Sequence, residues 1–177
     1  MYRFDELFYK TNVTLRDVIE ALKDDDWKVR TYQVGKEKIR KILTMKGWRD
    51  GYSWSDGTRA EGVKIYVLTK QGKLYEVPYD DSGSTGSGDQ WDNEGMTVAE
   101  YLKERSIQLE AIKAFIVKDF SYCTWEYQAD EHYNANIYIP KESLDIAKIR
   151  RRIEDVLRKS SGEKIIATAV FLGVKLD

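Results

Sequence analysis

The chain has 177 residues, a formal net charge of -1, 42% hydrophobic residues and 33% charged ones. That balance can bury enough apolar surface to fold unaided, which excludes wholesale disorder and a uniformly basic nucleic-acid coat. No apolar run approaches the ~18 residues that span a bilayer, and a single cysteine, Cys123, permits neither an internal disulfide nor a cysteine-based metal cage.

The first predicted element is a helix over 14–23, because Leu15, Val18, Ile19 and Leu22 recur on one helical face. Thr14 with Asp17 resembles a capping box, and the acids at 24–26 stop the helix. Strands are expected over 27–34 and 38–48, on either side of a turn at Gly35. Two further strands, 63–69 and 73–79, flank Gln71-Gly72 as a hairpin. Residues 80–95 then carry four glycines, three serines and five acids with no Lys or Arg, the composition of a long loop or linker.

Beyond the loop, Thr97 and Glu100 make a capping-box pair that opens a helix over 97–106, with Val98, Tyr101 and Leu102 as its apolar face. Its opening resembles that at Thr14, a hint of a duplicated unit that any short capped helix would also give. A strand from 112 to 120 runs on towards Tyr127, and 133–139 folds back on it. A third helix is expected over 143–159, with Ile146, Ile149, Ile153, Val156 and Leu157 as a buried stripe and Gly162 at its end. Residues 165–176 are almost wholly apolar, as in a strand buried on both faces. The expected fold class is α+β, a mainly antiparallel sheet with about three helices. The loop divides an N-terminal α+β half, 1–79, from a C-terminal half, 96–177, as two small domains or as one.

Catalytic motifs are absent: there is no P-loop, no G-x-G-x-x-G after a strand, no G-x-S-x-G and no HExxH. Cys123 and His132 are the scarce reactive residues, but a hairpin turning near Ala129-Asp130 sets Tyr127 opposite His132 and Cys123 opposite Asn136, too far apart for a nucleophile–base pair. The same hairpin shows His132, Asn134, Asn136 and Tyr138 beside Cys123, Trp125 and Tyr127, a face suited to stacking and hydrogen bonding. Its other face carries Tyr133, Ala135, Ile137 and Ile139 towards a core. The carboxylates Asp80, Asp81, Asp89, Asp92 and Glu94 do not follow a calcium-loop pattern, and neither a metal nor a cofactor is expected.

Charge distribution is the sharpest signal. From Lys28 to Arg49 there are eight basic residues and one acid, Glu37. Read as strands, this segment places Lys28, Arg30 and Tyr32 on one face, and Lys38, Arg40, Lys46 and Trp48 on one face of the second strand. Together with Trp125 and Tyr127 these are the candidate binding residues. Basic groups interleaved with aromatics suit an acidic protein surface and single-stranded nucleic acid alike. The expected function is non-enzymatic recognition or assembly, as a subunit of a larger complex such as a viral or phage particle. The partner is then another protein or a further copy of the chain, with no membrane role and an intracellular or virion location. The alternatives are a single-stranded nucleic-acid-binding module using 28–49, and a carboxylate-dependent enzyme.

Overall fold

The computed structural model describes residues 3–54, 57–81, 95–124 and 131–141, and in the C-terminal part 151, 153–155, 158 and 162. The chain forms two compact units, Met1–Lys141 and Glu142–Asp177. In the first, a 3-10 helix (Phe4–Tyr9) leads into α1 (Leu15–Asp24), β1 (Lys28–Val34), α2 (Lys36–Leu43), β2 (Gly47–Trp54) and β3 (Gly57–Thr69). Then come β4 (Leu74–Glu76), β5 (Tyr79–Asp81), α3 (Val98–Glu104), a 3-10 turn (Leu109–Ala111), β6 (Ile112–Cys123) and β7 (His132–Pro140).

The strands form one sheet in the order β1-β7-β6-β3-β2-β5, with β4 also on β3. The class is α+β, but the sheet is mixed rather than mainly antiparallel. β1 runs parallel to β7 and β2 parallel to β5, while β2–β3, β3–β4, β3–β6 and β6–β7 are antiparallel. Each parallel pair joins strands that are not chain neighbours, which local sequence patterns do not encode.

β3 and β6 form the spine. Their central residues are buried on both faces, and side chains alternate between two cores. Tyr66, Leu68, Ala114 and Ile116 face one side, where Phe4, Leu7, Val18 and Leu22 cover them. Ile65, Val67, Phe115 and Val117 face the other, beneath Ile42, Val98, Tyr101 and Leu102 of α2 and α3. Each large apolar side chain removed from water here contributes about 1.5–3 kcal/mol before entropy is subtracted. The register slips between Leu68 and Thr69, so that Ile112 opposite Thr69 joins the second core.

Both capping boxes form as the sequence implies. The Thr14 hydroxyl accepts from the Asp17 N–H at 3.1 Å while the Asp17 carboxylate accepts from the Thr14 N–H at 2.7 Å. Thr97 and Glu100 repeat the arrangement at 3.2 and 2.7 Å. The Gln71-Gly72 hairpin is also present, with Leu68 opposite Leu74. Gly72 has φ +77, and a Cβ there would lie 2.6 Å from the Asn12 backbone, so the turn and its packing both require glycine.

Residues 38–48 do not form one strand: 38–43 are helical, and of the expected span only Gly47 and Trp48 lie in a named strand, β2. Lys36–Leu43 is a helix, N-capped at Gly35, with Ile42 fully buried and Ile39 and Leu43 packed beside it. Those three positions follow a helical period, and Lys, Glu, Arg, Ile and Leu all tolerate a helix. In the second unit Arg151, residues 153–155, Arg158 and Gly162 are helical, within and just beyond the expected third helix. Ile153, expected in the buried stripe, is 48% exposed, and Gly162, expected to end the helix, is itself helical. The rest of that helix and the apolar run 165–176 lie outside the described residues. Among the described residues no helix is long and apolar enough to cross a membrane.

The attachment of α2 gives the first prediction. Ile42→Ala removes a fully buried side chain at the helix–sheet contact. Urea unfolding should show a loss of about 2–4 kcal/mol. A loss below about 0.5 kcal/mol would mean that α2 is not held by this contact.

Candidate recognition surface

β1 is an exposed strand beside β7, and its even-numbered side chains share a face with those of β7. The parallel register sets Lys28 next to Asn134, Arg30 next to Asn136 and Tyr32 next to Tyr138. The rings of Tyr32 and Tyr138 stack with centroids 5.6 Å apart and planes 21° from parallel. Gly35 then lets the chain turn into α2, which lies over this corner. Lys38 Nζ sits 4.8 Å from the centre of the Tyr138 ring, a cation–π contact that closes a three-layer stack. Lys36, Lys38, Arg40 and Lys41 all face solvent on the helix.

Below the helix is a cavity of about 240 Å³ lined by Ile39, Leu43, Leu109, Phe115 and Pro140, with Lys36 and Arg40 at its edge. Phe115 is the β6 partner of Tyr138, so the cavity adjoins the stack. Leu109 is 44% exposed, an apolar lip. The surface thus pairs an apolar hollow with a rim of exposed basic side chains.

The structure brings Tyr32, Lys38 and Arg40 together at this corner, with Arg30 and Lys28 two and four residues back along the same face of β1. It separates Lys46 and Trp48. Because Lys38 and Arg40 lie on α2, these two do not share a strand face with them. Trp48 lies on β2, at the far end of the row Lys28, Asn134, Asp119, Val63, Trp48, about 19 Å from β1 at the usual strand spacing. Lys46 bridges to Thr97 and, behind the Thr97 N–H and hydroxyl, helps hold the Glu100 carboxyl below its ordinary range. Trp125 and Tyr127 lie outside the described residues, as do Asp89, Asp92 and Glu94.

The β6–β7 register also differs from the expected one. Ser121, not Tyr127, is opposite His132, and Val117, not Cys123, is opposite Asn136. Cys123 is buried opposite Arg59 of β3. The two faces survive because the slip preserves side-chain alternation. Sequence spacing missed the partners this gives His132. Its Nδ1 lies 3.1 Å from Ser121 Oγ, and its Nε2 lies 3.3 Å from Asp119 Oδ1. These are the residue types of a hydrolytic triad. Yet the site is an open sheet face, and the neighbouring backbone N–H groups are committed to the ladders with β3 and β7. Ser121 stands directly opposite His132, with Asp119 two residues away on the same face, so the three form a cross-strand polar group. Among the described residues there is no cluster of three or more His, Cys, Asp or Glu side chains able to hold a metal ion.

The most perturbed cation lies on the opposite face. Lys118 of β6 is 9% exposed, and its Nζ is 4.1 Å from the Trp27 ring centre, 4.5 Å from Phe4 and 5.6 Å from Tyr66. Among the described residues it makes no ion pair or side-chain hydrogen bond. Burial pushes its pKa down to about 8, with Lys64 adding to the effect and Asp5, Asp25 and Glu76 opposing it. The three rings return part of the desolvation cost as cation–π attraction. Lys118 therefore closes the core under the N-terminal 3-10 helix and presents no charge to a partner.

Its titration is a second prediction. With a folded pKa near 8 and an unfolded value near 10.5, the unfolded chain binds more protons between those limits, so stability rises with pH there. The full gain is about 3 kcal/mol at most, and the cleanest window is about pH 8 to 10, before the buried Tyr66 begins to oppose it. Urea unfolding should show this slope in the parent chain and a flatter profile in Lys118→Met. Identical profiles would contradict it. Comparisons with protein-family models, with curated proteins and with solved structures give no match for this chain.

Proposed function

We propose that the chain is a non-enzymatic recognition subunit that assembles with protein, through the basic surface built by β1 and α2. The observation that carries this reading is a continuous basic surface: Lys28 and Arg30 on the face of β1 that leads to the Tyr32–Tyr138 stack, and Lys38 and Arg40 of α2 beside it. The opposing charge exists in the same chain: residues 80–94 hold five acids and no Lys or Arg. Separate surfaces of opposite sign steer like subunits together and fix their orientation. A virus or phage particle is one setting in which such a subunit works.

Single-stranded nucleic acid is the second reading, because the same cations would neutralise phosphates. The aromatic groups speak against it. Tyr32 and Tyr138 stack on one another and Lys38 covers Tyr138, which leaves Tyr32, 41% exposed, as the one open ring of the stack. Trp48 stands strands away, and among the described residues no row of open rings follows the cations as a base-stacking platform requires.

Sign separates the two readings. Changing Asp80, Asp81, Asp89, Asp92 and Glu94 to Asn or Gln should weaken self-association about tenfold or more, measured by size-exclusion chromatography with light scattering over a concentration series. A phosphate-binding surface would gain affinity or be unaffected by the same changes. A chain that stays monomeric at high concentration yet binds fluorescein-labelled oligothymidine contradicts the assembly reading and supports the second.

A further inference from the structure

We propose that the apolar cavity beneath α2 is a socket for an aromatic anchor, the indole of Trp91, supplied with its acidic flanks by residues 89–94 of a second copy of the chain. This rests on the assembly reading and names the contact within it.

The cavity supplies the first half of the argument. Ile39 and Leu43 of α2, Phe115 of β6, Leu109 and Pro140 enclose about 240 Å³. At about 30 Å³ per water in the liquid, that is room for on the order of eight waters, the scale of one large side chain rather than of a drug-sized ligand. An apolar hollow of this kind adds nothing to phosphate binding. It does suit the buried aromatic anchors that dominate protein interfaces. Lys36 and Arg40 at its edge select what flanks the anchor, namely carboxylates.

The sequence supplies the second half. Residues 89–94 read Asp-Gln-Trp-Asp-Asn-Glu, one large aromatic among three acids. The chemistry of anchor and flanks therefore matches the hollow and its rim.

Geometry favours a second copy over the same chain. Gly95 lies against Asp80 and Gly47, since a Cβ on it would be 2.8 Å from the Asp80 N and 2.9 Å from the Gly47 O. From Asp80 the row crosses β2 and β3 to Asp119 of β6, and Phe115 is four residues further along β6. At standard strand spacing and rise, that path is about 19 Å. Four residues separate Trp91 from Gly95, a backbone reach of about 14 Å when fully extended, so the indole of the same chain would come to the hollow only with this segment pulled straight. A contact in trans needs no such extension. It joins two different surfaces, so it is heterologous and builds rings or filaments.

The test uses the full chain carrying Trp91→Ser, whose own segment lacks the anchor. The probe is the peptide Gly-Asp-Gln-Trp-Asp-Asn-Glu-Gly, the sequence of residues 88–95. Binding is followed by tryptophan fluorescence and by isothermal titration. The proposal expects the peptide to bind and its Trp→Ser form to bind about tenfold more weakly or worse. It also expects Leu109→Asn in the host chain, a change at an exposed position, to weaken binding at least about threefold with an unchanged melting temperature. Trp91→Ser alone should lower self-association of the full chain. If the two peptides bind equally and Leu109→Asn has no effect, the socket is wrong while charge-driven assembly stands. If neither peptide binds and the parent chain is monomeric, the assembly reading fails with it.

Discussion

The long antiparallel ladder between β3 and β6 is the constraint on which the rest depends. Both strands are continuously apolar through their central stretch, 65–68 and 114–117, so the sheet has two faces to bury rather than one. A two-faced sheet forces the helices to opposite sides. The 3-10 helix and α1 cover Tyr66, Leu68 and Ile116, while α2 and α3 cover Ile65, Val67 and Phe115. Neither cover is long, and α2 has only eight residues. It holds its place through Ile42 and through the cation–π contact of Lys38 with Tyr138. A short isolated helix of that length would not persist in water, so its position is a product of packing.

Function follows from what α2 leaves uncovered. The helix turns its hydrophobic stripe down and its four cations outward, and it falls short of filling the space above Phe115 and Pro140. Recognition on this surface combines a diffuse and a local element. The cations bring an acidic partner in and orient it; the hollow rewards only a partner with the right side chain in the right place. Lys118 marks the contrast on the other face. There the cation is enclosed by Trp27, Phe4 and Tyr66, and its charge serves the core rather than a partner.

Most of this framework was legible in the residues. The two capping boxes announced α1 and α3 because Thr and an acid three residues on satisfy the same two N–H groups in any context. The hairpin at Gly72 was equally local. The alternation in 133–139 gave the correct inward face, Ala135 and Ile137, even though the pairing with β6 had slipped. What local pattern did not carry was partner choice. Nothing near Lys28 says that β1 will lie parallel to β7, more than a hundred residues on. The error that mattered for the site was α2. Basic residues at 38, 40 and 46 suggested strand alternation, whereas Ile39, Ile42 and Leu43 carried the helical period. Reading charge before burial put Lys38 and Arg40 beside Lys46 and Trp48, which packing separates.

Zero-length carbodiimide cross-linking of mixed light- and heavy-isotope chains tests the central claim most directly, since it joins lysine amines only to carboxylates in contact. The account predicts cross-links between Lys36, Lys38 or Lys41 of one isotope form and Asp89, Asp92 or Glu94 of the other, lost when the parent chain is diluted to the monomer. Cross-links confined to single chains, or none from these lysines in an oligomeric sample, would contradict it.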